Sequence, residues 1–197
     1  MTKLLTLTWP SGVWKTTIAK ALVEKYSNLF DHAIAFTTRT PREREIDGVD
    51  YYFKSRDEVE ALENAWELLR ISNIHWNLYG HTKDEIERIS KNWRIGIVIP
   101  DLYWLKIYKQ HQRNDFQVKA WLILPESKIV LWRRLKDRML EWRFTDDTRE
   151  RWKKWWEEFV IQGQKEGVYD FEVINHTDNV QWTIAEIIRM LQWTHFL

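Results

Sequence analysis

Trp9-Pro-Ser-Gly-Val-Trp-Lys-Thr16 decides how the rest of the chain is read. It follows Lys3–Thr8 (KLLTLT), an apolar run of strand length. It precedes Lys15–Ser27, where Ile18, Leu22 and Tyr26 share a helical stripe beside Ala19 and Val23. A strand, a loop and a helix opening on Lys-Thr form the setting of the phosphate-loop pattern G-x-x-x-x-G-K-[ST]. There the helix N-terminus presents free N–H groups and the positive end of its dipole to an oxyanion. Lys15 and Thr16 stand at the cation and hydroxyl positions, while both glycine positions hold tryptophan, Trp9 and Trp14. Glycine serves such loops because the backbone must approach phosphate closely and can turn through φ > 0. Two indoles there are expected to reduce nucleotide affinity severely. Taken without its surroundings, Lys-Thr at a helix start is also ordinary helix chemistry.

Outward from this loop, strands alternate with helices. His32–Phe36 reads as a strand, and Gly48 followed by Tyr51, Tyr52 and Phe53 as a turn into another. Ser55-Arg-Asp-Glu58 and Thr82-Lys-Asp-Glu85 match the capping box and mark helix starts. Glu67–Ile74 and Trp76–Tyr79 read as strands around a turn. Arg94–Ile99 (RIGIVI) and Lys119–Leu124 (KAWLIL) are continuous apolar strands, as in a sheet covered on both faces. Helices are expected over Asp101–Lys109, Ser127–Arg138, Asp147–Gln162 and Asp178–Trp193, with a last core strand at Phe171–Ile174. The alternation predicts a doubly wound α/β core, and the short strands between residues 33 and 80 an inserted lobe.

Composition narrows the function. Lys and Arg number 30 against 29 Asp and Glu, a net charge of +1 that gives no general field for a nucleic acid polymer or an anionic membrane. With no cysteine, disulfides, thiolate nucleophiles and cysteine-ligated metals are excluded. MTKLLTLTWP is too short an apolar run for a signal peptide, and no segment has the roughly 18 apolar residues of a membrane span. A cytoplasmic globular protein of one domain is expected. Two counts stand out: 14 tryptophans, and only 6 glycines in 197 residues, against a usual glycine share of about 7%.

Thr37-Thr-Arg-Thr-Pro-Arg42, followed by Glu45, Gly48 and Tyr51, is the most specific stretch. Two arginines three apart around a proline can clamp a phosphate through their planar forks. As TRTPRERE alone the segment would pass for a solvated loop, but it comes roughly twenty residues after a phosphate loop and its helix. Together with x-P-S-G-x-x-K-T, Tyr79-Gly80, the strand ending at Asp101, the arginine-bearing helix Trp132–Arg138 and the strand ending in Asn175, it resembles guanylate kinase over nearly the whole chain.

The resemblance implies a P-loop NTPase-type parallel sheet core with an inserted small GMP-binding lobe and a helical lid. It places the core in residues 1–32, 82–125 and 165–197, the lobe in 33–81 and the lid in about 126–164. The implied reaction is ATP + GMP to ADP + GDP with Mg2+. By resemblance Ser11, Gly12, Val13, Lys15, Thr16, Thr17 and Asn175 would meet ATP, with Thr16 also on the metal. Arg39, Arg42, Tyr51 and Tyr79 would hold the GMP phosphate, and Asp101 would face the guanine edge. Lys15, Arg39, Arg138 and either Arg149 or Arg151 would neutralise the transferring phosphoryl group. Such a reaction needs positioning and charge rather than a covalent nucleophile.

Departures from the family pattern concentrate at the site. Ala35 replaces a GMP-contacting serine, and Arg70 a guanine-reading glutamate. His81 replaces a small hydroxyl residue, and Ile99 an aspartate near the metal. Trp9, Trp14, Trp76 and Trp104 fall at glycine positions. Arginine only donates hydrogen bonds, so Arg70 cannot accept from guanine N1–H as a carboxylate does. The chain is therefore expected to be an altered or inactivated guanylate kinase-like scaffold. The alternative class is a non-catalytic domain of this fold that binds a protein partner.

Other signals are blander. His75 and His81 read as strand and loop residues rather than zinc ligands. Trp152, Trp155 and Trp156 with Phe159 form an aromatic stripe that packs the core or lid, or else an exposed patch for a partner. Arg133 and Arg134 serve the lid or a solvated helix face. Asp57, Glu58, Glu63 and Glu67 are expected on solvated faces.

Overall fold

β1 (Thr2–Thr8) lies at the centre of a five-stranded sheet ordered β2-β7-β1-β8-β9. Its partners are β7 (Ile95–Val98) and β8 (Phe116–Pro125). β2 (Phe30–His32) and β9 (Phe171–Asn175) form the edges, and every pairing is parallel. The computed structural model describes residues 1–8, 15–43, 45–74, 76–113, 116–131, 133, 150, 153, 156–176 and 179–197.

Helices cover both faces of this sheet, which is why β1 buries five consecutive residues rather than alternate ones. Leu5 and Leu7 pack with Ile18 and Leu22 of α1 (Lys15–Lys25) and with Ile184, Ile187 and Leu191 of α6 (Val180–Trp193). Leu4 faces the other way, toward Ile86 and Ile89 of α3 (Lys83–Lys91) and Tyr108 of α4 (Leu102–Gln110). Truncating one such leucine to alanine costs about 2–5 kcal/mol. Trp121 is fully buried on β8, its ring 4.7 Å from that of Phe171.

A second sheet, ordered β4-β3-β6-β5, is built from β3 (Phe36–Thr37), β4 (Tyr52–Phe53), β5 (Leu68–Ile74) and β6 (Asn77–Thr82). The expected single strand His32–Phe36 is thus two strands in two sheets. The chain leaves β2 at His32 and enters the small sheet at Phe36. Gly80 pairs with Phe36 across β3 and β6, and a Cβ there would collide with the Phe36 ring and the Arg70 carbonyl. The expected strand from Trp76 begins instead at Asn77, because Trp76 has φ 68° and belongs to the turn between β5 and β6.

Both expected capping boxes start helices, but only one closes. Before α2 (Arg56–Asn64), the Ser55 hydroxyl accepts from Glu58 N while the Glu58 carboxylate accepts from Ser55 N. Before α3, Thr82 accepts from Glu85 N, but the buried Glu85 carboxylate turns away and accepts from Ile34 N at 2.8 Å. The expected helix over Asp147–Gln162 is tested only in part. Residues 147–149, 151–152 and 154–155 lie outside the described set, and Trp156–Gln162 is π-helical. Helical backbone after Ser127 runs through residue 131 and includes Arg133, which is exposed.

Four chain reversals share one device. α2 and α3, the short helix α5 (Gly163–Lys165) and α6 each end in a Schellman motif, closed by a residue of positive φ: Trp66, Trp93, Gly167 and His195. At α3 the Trp93 amide reaches Ser90 O at 3.0 Å and the Arg94 amide reaches Ile89 O at 3.3 Å. Only glycine adopts this backbone without strain; for other residues it costs roughly 1–2 kcal/mol.

Candidate active site

A cavity of about 630 Å³ opens between α1, the C-terminal ends of the core strands and the small sheet. In open α/β sheets ligands bind outside the carboxyl ends of the strands. Arg42, Tyr51, Tyr79 and Asp101 line it together, and so do Ala35, Arg70, His81 and Ile99.

At one end lies an arginine clamp. Arg39 donates to both Glu45 oxygens at 2.8 and 2.9 Å and to Thr40 O at 2.7 Å. Glu45 also accepts from Arg42 N at 2.8 Å, so one carboxylate fixes the turn between the two arginines. The pairing holds the Glu45 carboxyl below its usual range and raises Arg39, chiefly through their hydrogen bond. The Arg39 guanidinium lies 5.6 Å from the centre of the Tyr51 ring, which meets Tyr79 edge-on at 6.0 Å. Burial raises the Tyr51 hydroxyl, keeping it a donor at neutral pH. Arg39 itself stands behind the cavity wall and does not line it.

The other end has a different character. Arg70, only 8% exposed, donates from Nε to His81 Nδ1 at 2.9 Å, and His81 Nε2 meets Ala33 O at 3.1 Å. Burial, reinforced by the Arg70 charge, pushes His81 well below its usual pKa. The ring is therefore neutral, accepting at Nδ1 and donating from Nε2 to the carbonyl. Asp101 caps α4 through Oδ1, which accepts from Trp104 N at 2.8 Å, while Oδ2 accepts from Ser72 at 3.2 Å. Ile99 presents hydrocarbon and packs against the core.

Thr17 is exposed at the start of α1. Lys15 and Thr16 open that helix, with side chains outside the described part. Asn175 is buried at the end of β9, where its Oδ1 accepts from Thr183 at 3.0 Å, and it does not line the cavity. Trp9, Ser11, Gly12, Val13, Trp14, His75, Arg134, Arg138, Arg149, Arg151, Trp152 and Trp155 lie outside the described residues, as does the Phe159 side chain. Asp57, Glu58, Glu63 and Glu67 are exposed; Trp156 is half-buried, with Lys128 Nζ 5.0 Å from its ring centre. Trp104 is half-buried against Tyr103, ring to ring at 5.4 Å. No group of three or more metal-ligating side chains occurs among the described residues. No helix among them is long and apolar enough to cross a membrane.

One feature escaped the sequence reading. Glu85 ties the small sheet to the core: it accepts from Ile34 N, from Tyr52 at 3.2 Å and from Arg88 at 3.0 Å, while Arg88 reaches Asp31 at 2.9 Å. These bonds hold Arg88 above its usual pKa. Burial lowers His32 beside them, against the opposing pull of Glu85. The i, i+3 spacing of Glu85 and Arg88 was the available signal.

Comparison with known proteins now decides the family. The guanylate kinase family pattern matches residues 1–193. The chain belongs to the guanylate kinase family. It is 33% identical over 193 residues to the guanylate kinase of Wolbachia pipientis wMel, covering 95% of this chain and 88% of that one. A guanylate kinase of Enterococcus faecalis matches at 48% identity over 77 residues, 39% of this chain and 38% of the relative. The crystal structure of a guanylate kinase from Anaplasma phagocytophilum superposes with a TM-score of 0.65 at 21% identity, covering 98% of this chain and 86% of that one. That likeness bears out the P-loop NTPase-type α/β fold.

Proposed function

We propose that this guanylate kinase-family chain transfers the γ-phosphoryl group of ATP to GMP. The supporting observation is the cavity in which Arg42, Tyr51 and Tyr79 converge, backed by the Arg39–Glu45 clamp. In this reading Arg42 and the two tyrosine hydroxyls hold the monophosphate dianion, and Glu45 sets the spacing of both arginines. One oxygen of that phosphate attacks the γ-phosphorus in line. The bond from γ-phosphorus to the β–γ bridging oxygen breaks, and ADP leaves with the bond's electron pair. Lys15 and the lid arginines Arg138 and Arg149 or Arg151 would offset the charge on the equatorial oxygens. The core–lobe–lid division at residues 33–81 and 126–164 belongs to the same reading.

The base end reads differently from a carboxylate-lined pocket. Arg70 offers donors, which suit the O6/N7 acceptor pair of guanine. Such a base would then sit turned from the pose that a glutamate fixes through N1–H. Magnesium ordinarily accompanies the nucleotide in this chemistry. Among the described donors, however, Ile99 offers only carbon and both Asp101 oxygens are engaged. In this reading Thr16 and the nucleotide's own phosphate oxygens would hold the ion, which would offset charge on the transferring group.

A second reading, a non-catalytic domain that binds a protein partner, is favoured by Trp9 and Trp14 in the phosphate loop and by Ile99. An assay coupling ADP release to GMP addition separates the two. Turnover that requires both nucleotides supports the kinase. No turnover, with GMP binding retained and Trp9 and Trp14 both replaced by glycine, overturns it.

A further inference from the structure

The tryptophans of this chain fall into two kinds. Trp121 is a core indole: fully buried, in strand backbone, its ring 4.7 Å from that of Phe171 and tilted 37° to it. Trp66, Trp76 and Trp93 are the reverse. They are 81%, 85% and 92% exposed, and their φ angles are 59°, 68° and 57°. Of the four non-glycine residues with positive φ among those described, three are tryptophan. Two of them close Schellman motifs with the same hydrogen bonds that Gly167 makes after α5. The third sits in the turn of a hairpin whose strands pair Ile74 with Asn77. These are glycine positions by backbone geometry alone.

Trp9 and Trp14 are glycine positions by a separate criterion, the phosphate-loop spacing. The composition points the same way, with 14 tryptophans beside 6 glycines. Drift away from glycine would scatter over alanine, serine, aspartate and arginine. A docking surface of indoles would have no use for left-handed backbone. One substitution type repeated at unconnected glycine positions is what a single codon read in two ways produces. UGA is a stop signal in the standard code, is read as tryptophan in some variant codes and as glycine in others, and differs by one base from both UGG and GGA.

We infer that Trp9, Trp14, Trp66, Trp76 and Trp93 mark UGA codons that the cell of origin reads as glycine, so that the protein made there carries an intact phosphate loop for a nucleoside triphosphate. For positions 9 and 14 this rests on the kinase reading; for 66, 76 and 93 it stands on backbone geometry. The inference restores the loop but leaves Arg70 and Ile99 as real changes in the site.

The test begins with the gene and with the protein purified from its own source. UGA at all five positions, UGG at Trp121, and tryptic peptides lighter at each of the five by the difference between an indolylmethyl group and a hydrogen are expected. UGG at the five positions, or peptides that carry tryptophan there, overturns the inference. A third measurement compares this chain with its Trp66→Gly, Trp76→Gly, Trp93→Gly form, both made in a standard host. Relief of three left-handed tryptophans, partly offset by the greater unfolded-state freedom of glycine, should raise Tm by about 5–10 °C, and an unchanged or lower Tm counts against left-handed strain at these positions. Adding Trp9→Gly and Trp14→Gly should raise ATP affinity at least tenfold by calorimetry. Glycine in the native peptides without any GMP-dependent turnover would leave the decoding standing and remove the kinase reading.

Discussion

The two ends of the cavity differ in chemical character. At the end proposed to hold the phosphate, Arg39, Glu45, Arg42, Tyr51 and Tyr79 form one bonded group in which a carboxylate spaces two cations and the aromatic rings support them. At the end proposed to read the base, a buried guanidinium leans on a neutral histidine, and Ile99 presents hydrocarbon. A phosphate is satisfied by charge and many equivalent donors. A base is read by a fixed order of donors and acceptors, so exchanging one acceptor for a donor changes which edge can be read. In the proposed reading the first end would set the ligand class, and the second would govern which base binds and in what pose.

Substitutions at either end should separate these roles. The largest effect is expected from Arg42→Ala, which removes a charge-assisted contact to the monophosphate. GMP binding measured by calorimetry should weaken about 10–100-fold. Retained affinity would show that the phosphate lies elsewhere. Arg70→Glu should have the next largest effect, weakening GMP by about tenfold as the donors to O6 and N7 are lost. If GMP binding tightens instead, the base is read through N1–H and the O6/N7 pose is wrong.

Two smaller effects depend on pH. His81 has a folded pKa depressed below that of the unfolded chain. Its neutral form stabilises the fold fully above about pH 6.5, and that contribution is lost as pH falls below it, at up to about 1.4 kcal/mol per pH unit. Thermal melts from pH 7.5 to 5.5 should show the decline, and His81→Gln should flatten it. Glu45 is also depressed, so its clamp is present above the usual carboxylate pKa of about 4.3 and is lost as pH falls through the lower folded value. Because Arg39 and Glu45 are partly solvated, Glu45→Gln should weaken GMP binding only a few-fold at neutral pH, and an unchanged affinity would detach the clamp from the site.

Much of this was legible in residue order. The apolar run of β1, the stripe of α1 and the caps at Ser55 and Thr82 are local patterns, and each starts the expected element. The joining of Arg42, Tyr51, Tyr79 and Asp101 was carried by a family resemblance rather than by any local rule. An apolar run does not say which of two sheets each half will join, so the residues expected as one strand, His32–Phe36, divide between β2 and β3. Glu85 was read as a capping residue, yet its carboxylate serves Ile34, Tyr52 and Arg88. Two of these partners, Ile34 and Tyr52, are far away in sequence.

The sequence by itself determined most of the succession of strands and helices and pointed to the family, because these depend on periodicity and spacing along the chain. Only the tertiary structure decided that Arg70 pairs with a neutral His81, that Glu85 fastens the small sheet to the core, and that Trp66, Trp76 and Trp93 occupy left-handed backbone. Those outcomes depend on which groups the fold brings face to face, and on the torsion each reversal demands, neither of which a residue's neighbours in sequence record.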